Sequence, residues 1–230
     1  LGCPSGTVVS KGRGAGFLAL PEKLDQFLEE IFSKTEAKIS LKTRIGMEEP
    51  EEFFRLLEIY NKYPLEELIV HPRVQKELYR GTPHYETFRY AMEHSKNPLC
   101  YNGDLVSVDS YVNLLADWEK EQACDRTKVT SVMVGRGVLK DPALIEKLAA
   151  YASGEAYGTD AKKKLPAFHD RLVADYGKEF SGDQNVLFKM KELWSYLIVR
   201  FPGKEKEAKA IRKAKRLEEY QAAVRRVFSE

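Results

Sequence analysis

Apolar residues at helical spacing alternate with short β-rich runs along the first 134 residues. The spacing is clearest from about Pro50 to Tyr63, where Phe53, Leu56 and Leu57 share one face of a helix. In chain order the pattern predicts helix 21–32, strand 38–44, helix 50–63, strand 68–71, helix 85–94, strand 98–102, helix 107–118 and strand 129–134. Four helix–strand steps indicate a parallel sheet covered by helices.

Polar, charged or glycine residues stand where each predicted strand ends. They are Lys42 and Arg44, His71 and Arg73, Asn102 and Asp104, and Gly135 and Arg136. A doubly wound sheet would also explain the alternation, but a β/α barrel builds its site from the carboxyl ends of successive strands. We therefore predict an α/β fold of the β/α (TIM) barrel type. Because a closed barrel needs eight strands, only part of it is expected in this chain.

From about Ala143 the pattern changes to helices alone. Residues 184–201 and 204–228 are the clearest predicted helices. Residues 151–230 contain 17 Lys and Arg against 12 Asp and Glu, whereas residues 1–150 contain 20 against 23. We therefore divide the chain into a barrel domain, 1–142, and a basic helical domain, 143–230, although a solvated helical face would explain the charge equally well.

The composition limits which classes of protein this chain can belong to. With 43% hydrophobic residues among 230, the chain can bury a sizeable core. Membrane-spanning runs and a signal peptide are not indicated, so a soluble cytoplasmic protein is expected. We also expect a monomer. Cys3, Cys100 and Cys124 contain no CxxC pair, which predicts neither a disulfide framework nor a metal site.

Two segments near the start of the chain combine residues suited to chemistry. Cys3 lies in a turn ahead of Gly12–Gly16, and this glycine-rich stretch is either a phosphate cradle or a flexible connection. Lys42 and Arg44 are two residues apart on a strand, so they face the same side. They either pair with acidic neighbours or bind an anionic ligand. His71 and Arg73 repeat that spacing on the next strand.

Two further segments follow the last two strands. Asn102-Gly103-Asp104 is either an ordinary turn or a set of groups for the hydroxyls of a ribose or ribityl chain. Gly135 and Arg136 follow an apolar strand, and there the backbone N–H groups and the guanidinium suit a phosphate.

Five motifs occur in a fixed order along the chain. They are Leu1-Gly2-Cys3-Pro4-Ser5, Lys42-Thr43-Arg44-Ile45-Gly46, Val70-His71-Pro72-Arg73, Asn102-Gly103-Asp104 and Met133-Val134-Gly135-Arg136-Gly137. Together they resemble the tRNA-dihydrouridine synthase family. The resemblance continues through residues 189–197, which are similar to the family's helical RNA-binding domain. In that family, further barrel strands precede the position of Leu1, and its usual His-Gly-Arg reads His71-Pro72-Arg73 here.

The resemblance implies a β/α barrel that holds FMN, is reduced by NADPH, and reduces uridine in tRNA to 5,6-dihydrouridine. Hydride would pass from the flavin to C6 of a flipped-out uridine, and Cys3 would donate a proton to C5, since an ordinary thiol is protonated at neutral pH. The implied FMN contacts are Lys42, His71, Asn102, Gly103, Asp104, Gly135 and Arg136. Arg44 and Arg73 match arginines that meet the target nucleotide.

Extruding a uridine requires the RNA to be held elsewhere by phosphate contacts. The predicted contacts are Lys189, Lys191, Arg200, Lys204 and Lys206, with plain surface charge as the alternative. Two other functions remain open from sequence: another FMN-dependent barrel oxidoreductase, which would not need the basic helical tail, and a non-catalytic RNA-binding fragment.

Overall fold

The computed structural model describes residues 1–120, 126–157 and 161–229, so Cys124 lies outside the described residues. The chain divides into two compact units. The sheet unit comprises Leu1–Leu105 and Val112–Val134, and the helical unit comprises Val106–Tyr111 and Gly135–Glu230. The assignment of a catalytic domain to 1–142 and an RNA-binding domain to 143–230 stays a prediction.

Four parallel strands form the sheet: β1 Ser40–Arg44, β2 Glu67–His71, β3 Leu99–Tyr101 and β4 Val129–Val132. They lie side by side in chain order, with Arg44 opposite His71 and Val70 opposite Tyr101. Sequential order is that of a β/α barrel, because a doubly wound sheet reverses its strand order at a switch point. The predicted α/β class is confirmed, and the four strands are consistent with part of a barrel.

Four helices lie where the apolar spacing predicts them: α2 Pro21–Lys34, α3 Glu52–Tyr60, α4 Tyr85–His94 and α5 Val108–Lys120. Helix α2 precedes β1, and the other three connect the strands. A short helix that the spacing did not predict, α1 Gly6–Val9, comes before them. Helix α2 begins at Pro21, whose fixed φ suits the first helical position. Leu24, Leu56 and Phe88 from three of these helices are buried, as are the apolar residues of β2. A strand with both faces apolar is typical of a parallel sheet covered by helices.

The helical unit contains α6 Arg136–Lys140, α7 Leu144–Ser153, α8 Ala161–Glu179, α9 Asp183–Leu197, α10 Glu205–Lys213 and α11 Leu217–Phe228. The prediction of one helix over 204–228 is wrong, because the chain leaves helical geometry at Ala214 and Arg216. The break lets α10 and α11 each bury an apolar face. Ile211 on α10 and Val224 on α11 join the same buried cluster as Trp194 on α9.

A buried hydrogen-bond chain crosses this cluster. Trp194 Nε1 donates to Tyr220 Oη at 2.8 Å, and His169 Nε2 lies 2.6 Å from the same hydroxyl. The contact of His169 Nδ1 with Asp170 Oδ1, at 3.0 Å, assigns the ring proton to Nδ1, so the hydroxyl donates to Nε2. Among the described residues, no helix is long and apolar enough to cross a membrane.

Candidate active site

Cys3 is exposed, whereas Pro4 after it is buried, and the backbone of this turn is tied to the rest of the sheet unit. Its carbonyl oxygen accepts a hydrogen bond from the Ala15 N–H at 2.9 Å. The glycine-rich stretch makes this close approach possible. Gly14 has a positive φ of 56°, and a Cβ there would lie 2.7 Å from the Cys3 carbonyl oxygen. Gly14 therefore lets this stretch pack closely against the Cys3 turn.

Lys42 and Arg44 share one side of β1 but differ in their surroundings. Lys42 is half-buried, and its Nζ lies 3.9 Å from where a Cβ on Gly2 would stand. Burial, with the nearby charge of Arg44, lowers the pKa of Lys42. Within residues 1–120, 126–157 and 161–229, no carboxylate forms an ion pair with it. A half-buried ammonium without a carboxylate suits an electron-rich or anionic ligand.

The Arg44 side chain is directed to backbone carbonyls of its own unit. It is fully buried, and it donates from Nε to Gly2 O at 3.2 Å, from Nη1 to Val74 O at 2.9 Å and from Nη2 to Leu78 O at 2.5 Å. Its Cζ lies 5.3 Å from the centre of the Tyr79 ring, which is cation–π geometry. The bond to Gly2 O supports the Cys3 turn, and those to Val74 O and Leu78 O hold the guanidinium against the loop after β2. A contact with the target nucleotide stays a prediction.

Arg73, also fully buried, is saturated with hydrogen bonds. Its Nη1 and Nη2 donate to the two carboxylate oxygens of Asp104 at 2.9 and 2.7 Å. Nε donates to Arg80 O and Nη2 to Gly81 O. The remaining hydrogen of Nη1 faces His71 Nε2 at 3.4 Å. All five guanidinium hydrogens thus have acceptors within the protein. The predicted contact with RNA would require one of these hydrogen bonds to break.

This arrangement also determines the state of His71. Because a guanidinium only donates, His71 Nε2 must accept and the ring proton must be on Nδ1. Burial, reinforced by the charges of Arg44, Lys42 and Arg73, lowers the pKa of His71 to about 3. His71 is therefore a neutral hydrogen-bond donor through Nδ1 at neutral pH.

The segment Asn102-Gly103-Asp104 begins directly after β3. Asn102 Nδ2 donates to Met133 O at 2.8 Å, which joins the ends of the third and fourth strands. Gly103 is required by a close approach, since a Cβ there would lie 2.0 Å from Tyr101 Oη. With Asp104 held by Arg73, the turn has a structural role of its own, and its predicted FMN contacts are untested.

Gly135 and Arg136 belong to the helical unit. Gly135 is exposed and immediately precedes α6, which begins at Arg136. Their predicted contact with the FMN phosphate is untested. Among the described residues, no group of three or more His, Cys, Asp and Glu side chains could hold a metal ion.

Most of the predicted RNA-contacting cations of the helical unit have partners inside it. Lys191 donates to Ala214 O at 2.6 Å, Lys204 donates to Arg226 O and Ser229 O, and Arg200 pairs with Asp141 at 2.6 Å. Lys189 pairs with Glu192 of the same helix at 3.4 Å. Lys206 is exposed on α10. The apolar spacing around these residues revealed their helices but not these partners.

One functional candidate, Gln75, has no distinguishing signal in the sequence. Its Nε2 donates to Pro4 O at 3.0 Å, directly after Cys3. Gln75 itself follows β2 in the loop that also carries Arg73. An isolated glutamine in a polar loop matches no motif, so only the structure identifies it.

Comparison with known proteins identifies the family. The model of the family described as Dihydrouridine synthase (Dus) matches residues 1–228. The tRNA-dihydrouridine(16) synthase of Aquipseudomonas alcaligenes is 28% identical over 67% of this chain and 47% of its own length. The corresponding enzyme of Escherichia coli O157:H7 is 29% identical over 62% of this chain and 43% of its own. The tRNA-dihydrouridine synthase B of Pasteurella multocida is 25% identical over 62% of this chain and 40% of its own length. The chain thus spans less than half the length of these relatives. Because the family model matches nearly all of it, this chain belongs to the dihydrouridine synthase (Dus) family.

Proposed function

We propose that this protein reduces uridine to 5,6-dihydrouridine in tRNA, with FMN as its cofactor and NADPH as the reductant. Family membership supports the reaction class, and the relatives described above are tRNA-dihydrouridine synthases. The observation that carries the proposal is the position of Lys42. Its half-buried ammonium lies beside Gly2, the residue that precedes Cys3, and no carboxylate among the described residues pairs with it.

The residues of the sheet unit have separate roles in this proposal. When bound, FMN would supply the hydride that adds to C6 of the uracil. Lys42 would place positive charge beside the flavin ring, and His71 would donate a hydrogen bond to it through Nδ1. Cys3, which is exposed, would donate its proton to C5. The S–H electron pair stays on sulfur, which leaves a thiolate to be reprotonated from solvent.

The remaining FMN contacts would come from Asn102 and Gly103 on the ribityl side and from Gly135 and Arg136 at the phosphate. Asp104 would act mainly through Arg73, because both of its carboxylate oxygens accept from that guanidinium. Arg73 in turn orients the ring of His71.

For the tRNA, we favour the exposed face of α10 over the cations that have partners inside the helical unit. Lys206, Lys209 and Lys213 are exposed and, at positions i, i+3 and i+7, lie on one face of the helix. In the part of the chain that the structure describes, none of the three has an ion-pair or hydrogen-bond partner. Their charges are therefore available for phosphate contacts.

The test is Cys3→Ala in the flavin-bearing protein, with Cys100→Ala as the matched control. Cys100 is a buried thiol on β3 whose pKa is raised by burial. We expect Cys3→Ala to retain FMN and to be reduced by NADPH, while dihydrouridine formation in tRNA is lost. Cys100→Ala should still form product. Product formation by Cys3→Ala at the wild-type rate would refute the role of Cys3, and an absence of product with the wild-type protein would refute the proposed function.

A further inference from the structure

Three consecutive backbone carbonyls around Cys3 each accept one hydrogen bond. Gly2 O accepts from Arg44 Nε at 3.2 Å, Cys3 O from the Ala15 N–H at 2.9 Å, and Pro4 O from Gln75 Nε2 at 3.0 Å. The donors come from three separate segments: the end of β1, the glycine-rich stretch and the loop after β2. Three segments thus hold the backbone on both sides of Cys3, although Cys3 itself is exposed.

The two side-chain donors are themselves fixed. The other nitrogens of Arg44 donate to Val74 O and Leu78 O. The backbone N–H of Gln75 donates to Gly46 O at 2.9 Å. Val74 and Gln75 are neighbours, so Arg44 and Gln75 link the Cys3 turn to one and the same loop. Local movement of the turn therefore requires these bonds to break together.

We propose that Arg44 and Gln75 are positioning residues that hold the Cys3 thiol in place for proton transfer. The inference rests on the proposed function. Fixing the peptide groups on both sides of Cys3 leaves rotation about χ1 as the main freedom of the thiol. A proton donor has to meet its acceptor within hydrogen-bond distance, and a misplacement of about 1 Å can lower a rate by roughly a hundredfold.

Gln75→Met is the informative variant. It keeps the length of the side chain and removes the amide donor, whereas loss of the buried Arg44 would also leave Val74 O and Leu78 O without their donor. The matched control is Gln184→Met in the helical unit. Gln184 Nε2 makes a comparable bond, to Lys215 O at 2.9 Å, remote in sequence from the Cys3 turn.

Two rates are measured by stopped-flow absorbance in the FMN-bearing protein: reduction of the flavin by NADPH, and its reoxidation by unmodified tRNA. If Gln75 holds the Cys3 thiol in place, Gln75→Met should slow reoxidation of the flavin by about tenfold. Flavin reduction and flavin content should both stay unchanged. Gln184→Met should change neither rate. Reoxidation within about twofold of the wild type, or equal slowing of both half-reactions, would overturn the proposal.

Hydrogen exchange at the Ala15 amide gives a readout that does not depend on activity. Gln75→Met should speed exchange there, because the turn that provides its acceptor is loosened, and Gln184→Met should not. If the wild-type protein forms no dihydrouridine, the proposed function fails and this readout alone decides whether Gln75 holds the Cys3 turn. Unchanged exchange in Gln75→Met would overturn the proposal in either case.

Discussion

The pair formed by Arg73 and Asp104 gives the sharpest prediction about stability. The Arg73 side chain is 0% exposed and the Asp104 side chain 39%. Asp104→Asn replaces the carboxylate with a neutral amide of the same shape and leaves a fully buried guanidinium without its counter-charge. Breaking a buried pair costs about 3–5 kcal/mol. Because solvent reaches Asp104, we expect the lower value of about 2–3 kcal/mol here.

The measurement is the free energy of unfolding from urea titrations, followed by circular dichroism. For a chain of this size the expected loss corresponds to a decrease in Tm of about 5–10 °C. Asp109→Asn, at an exposed aspartate five residues further on, is the control and should cost less than about 1 kcal/mol. The double variant Arg73→Met with Asp104→Leu should cost less than the sum of its single variants, since neither charge is left alone. A loss below about 0.5 kcal/mol in Asp104→Asn would refute the reasoning.

Four further expectations follow from individual side chains. Lys42→Ala should lower the FMN-to-protein ratio after gel filtration, whereas Lys38→Ala, at an exposed lysine before the same strand, should not; equal ratios would contradict the role of Lys42. As the pH falls below 6.5, the unfolded state protonates His71 while the folded state, with its pKa lowered to about 3, does not. Stability should therefore decrease by up to about 1.4 kcal/mol per pH unit, and His71→Asn should remove this contribution in urea titrations. Gly103→Ala should cost about 1–3 kcal/mol, because its Cβ would lie 2.0 Å from Tyr101 Oη and 2.3 Å from Tyr101 Cζ. The cost should largely disappear when the same change is made in a Tyr101→Ala background, which removes the ring; an equal cost there would count against the close approach. Replacing the three α10 lysines by alanine should reduce the slope of log affinity for tRNA against log salt concentration by about 2, and an unchanged slope would exclude that face.

The order of helices and strands follows from the sequence alone. The predicted helix 85–94 coincides with α4, and each of the four strands overlaps its predicted run. Such elements depend on the periodicity of neighbouring residues, which the sequence displays directly. The family follows from the same source, because its motifs are short stretches at strand ends. Where the apolar patterns of two helices run together, as at Ala214 between α10 and α11, the periodicity did not predict the break between them. That break depends on how both helices bury their apolar faces.

The partners of the site residues were decided by the tertiary structure. From sequence, Arg44, Arg73 and Lys191 were cations available to a nucleotide or to RNA, whereas in the structure each donates to groups of the protein itself. The contact of Gln75 with the Cys3 turn could not be predicted from the sequence for the same reason. Its acceptor, Pro4 O, lies 71 residues away, and every residue carries a backbone carbonyl, so no side-chain pattern marks the one that will be chosen. The sequence by itself determined which chemical groups stand at the strand ends, and only the folded chain decided which of them remain available to a ligand and which hold the site together.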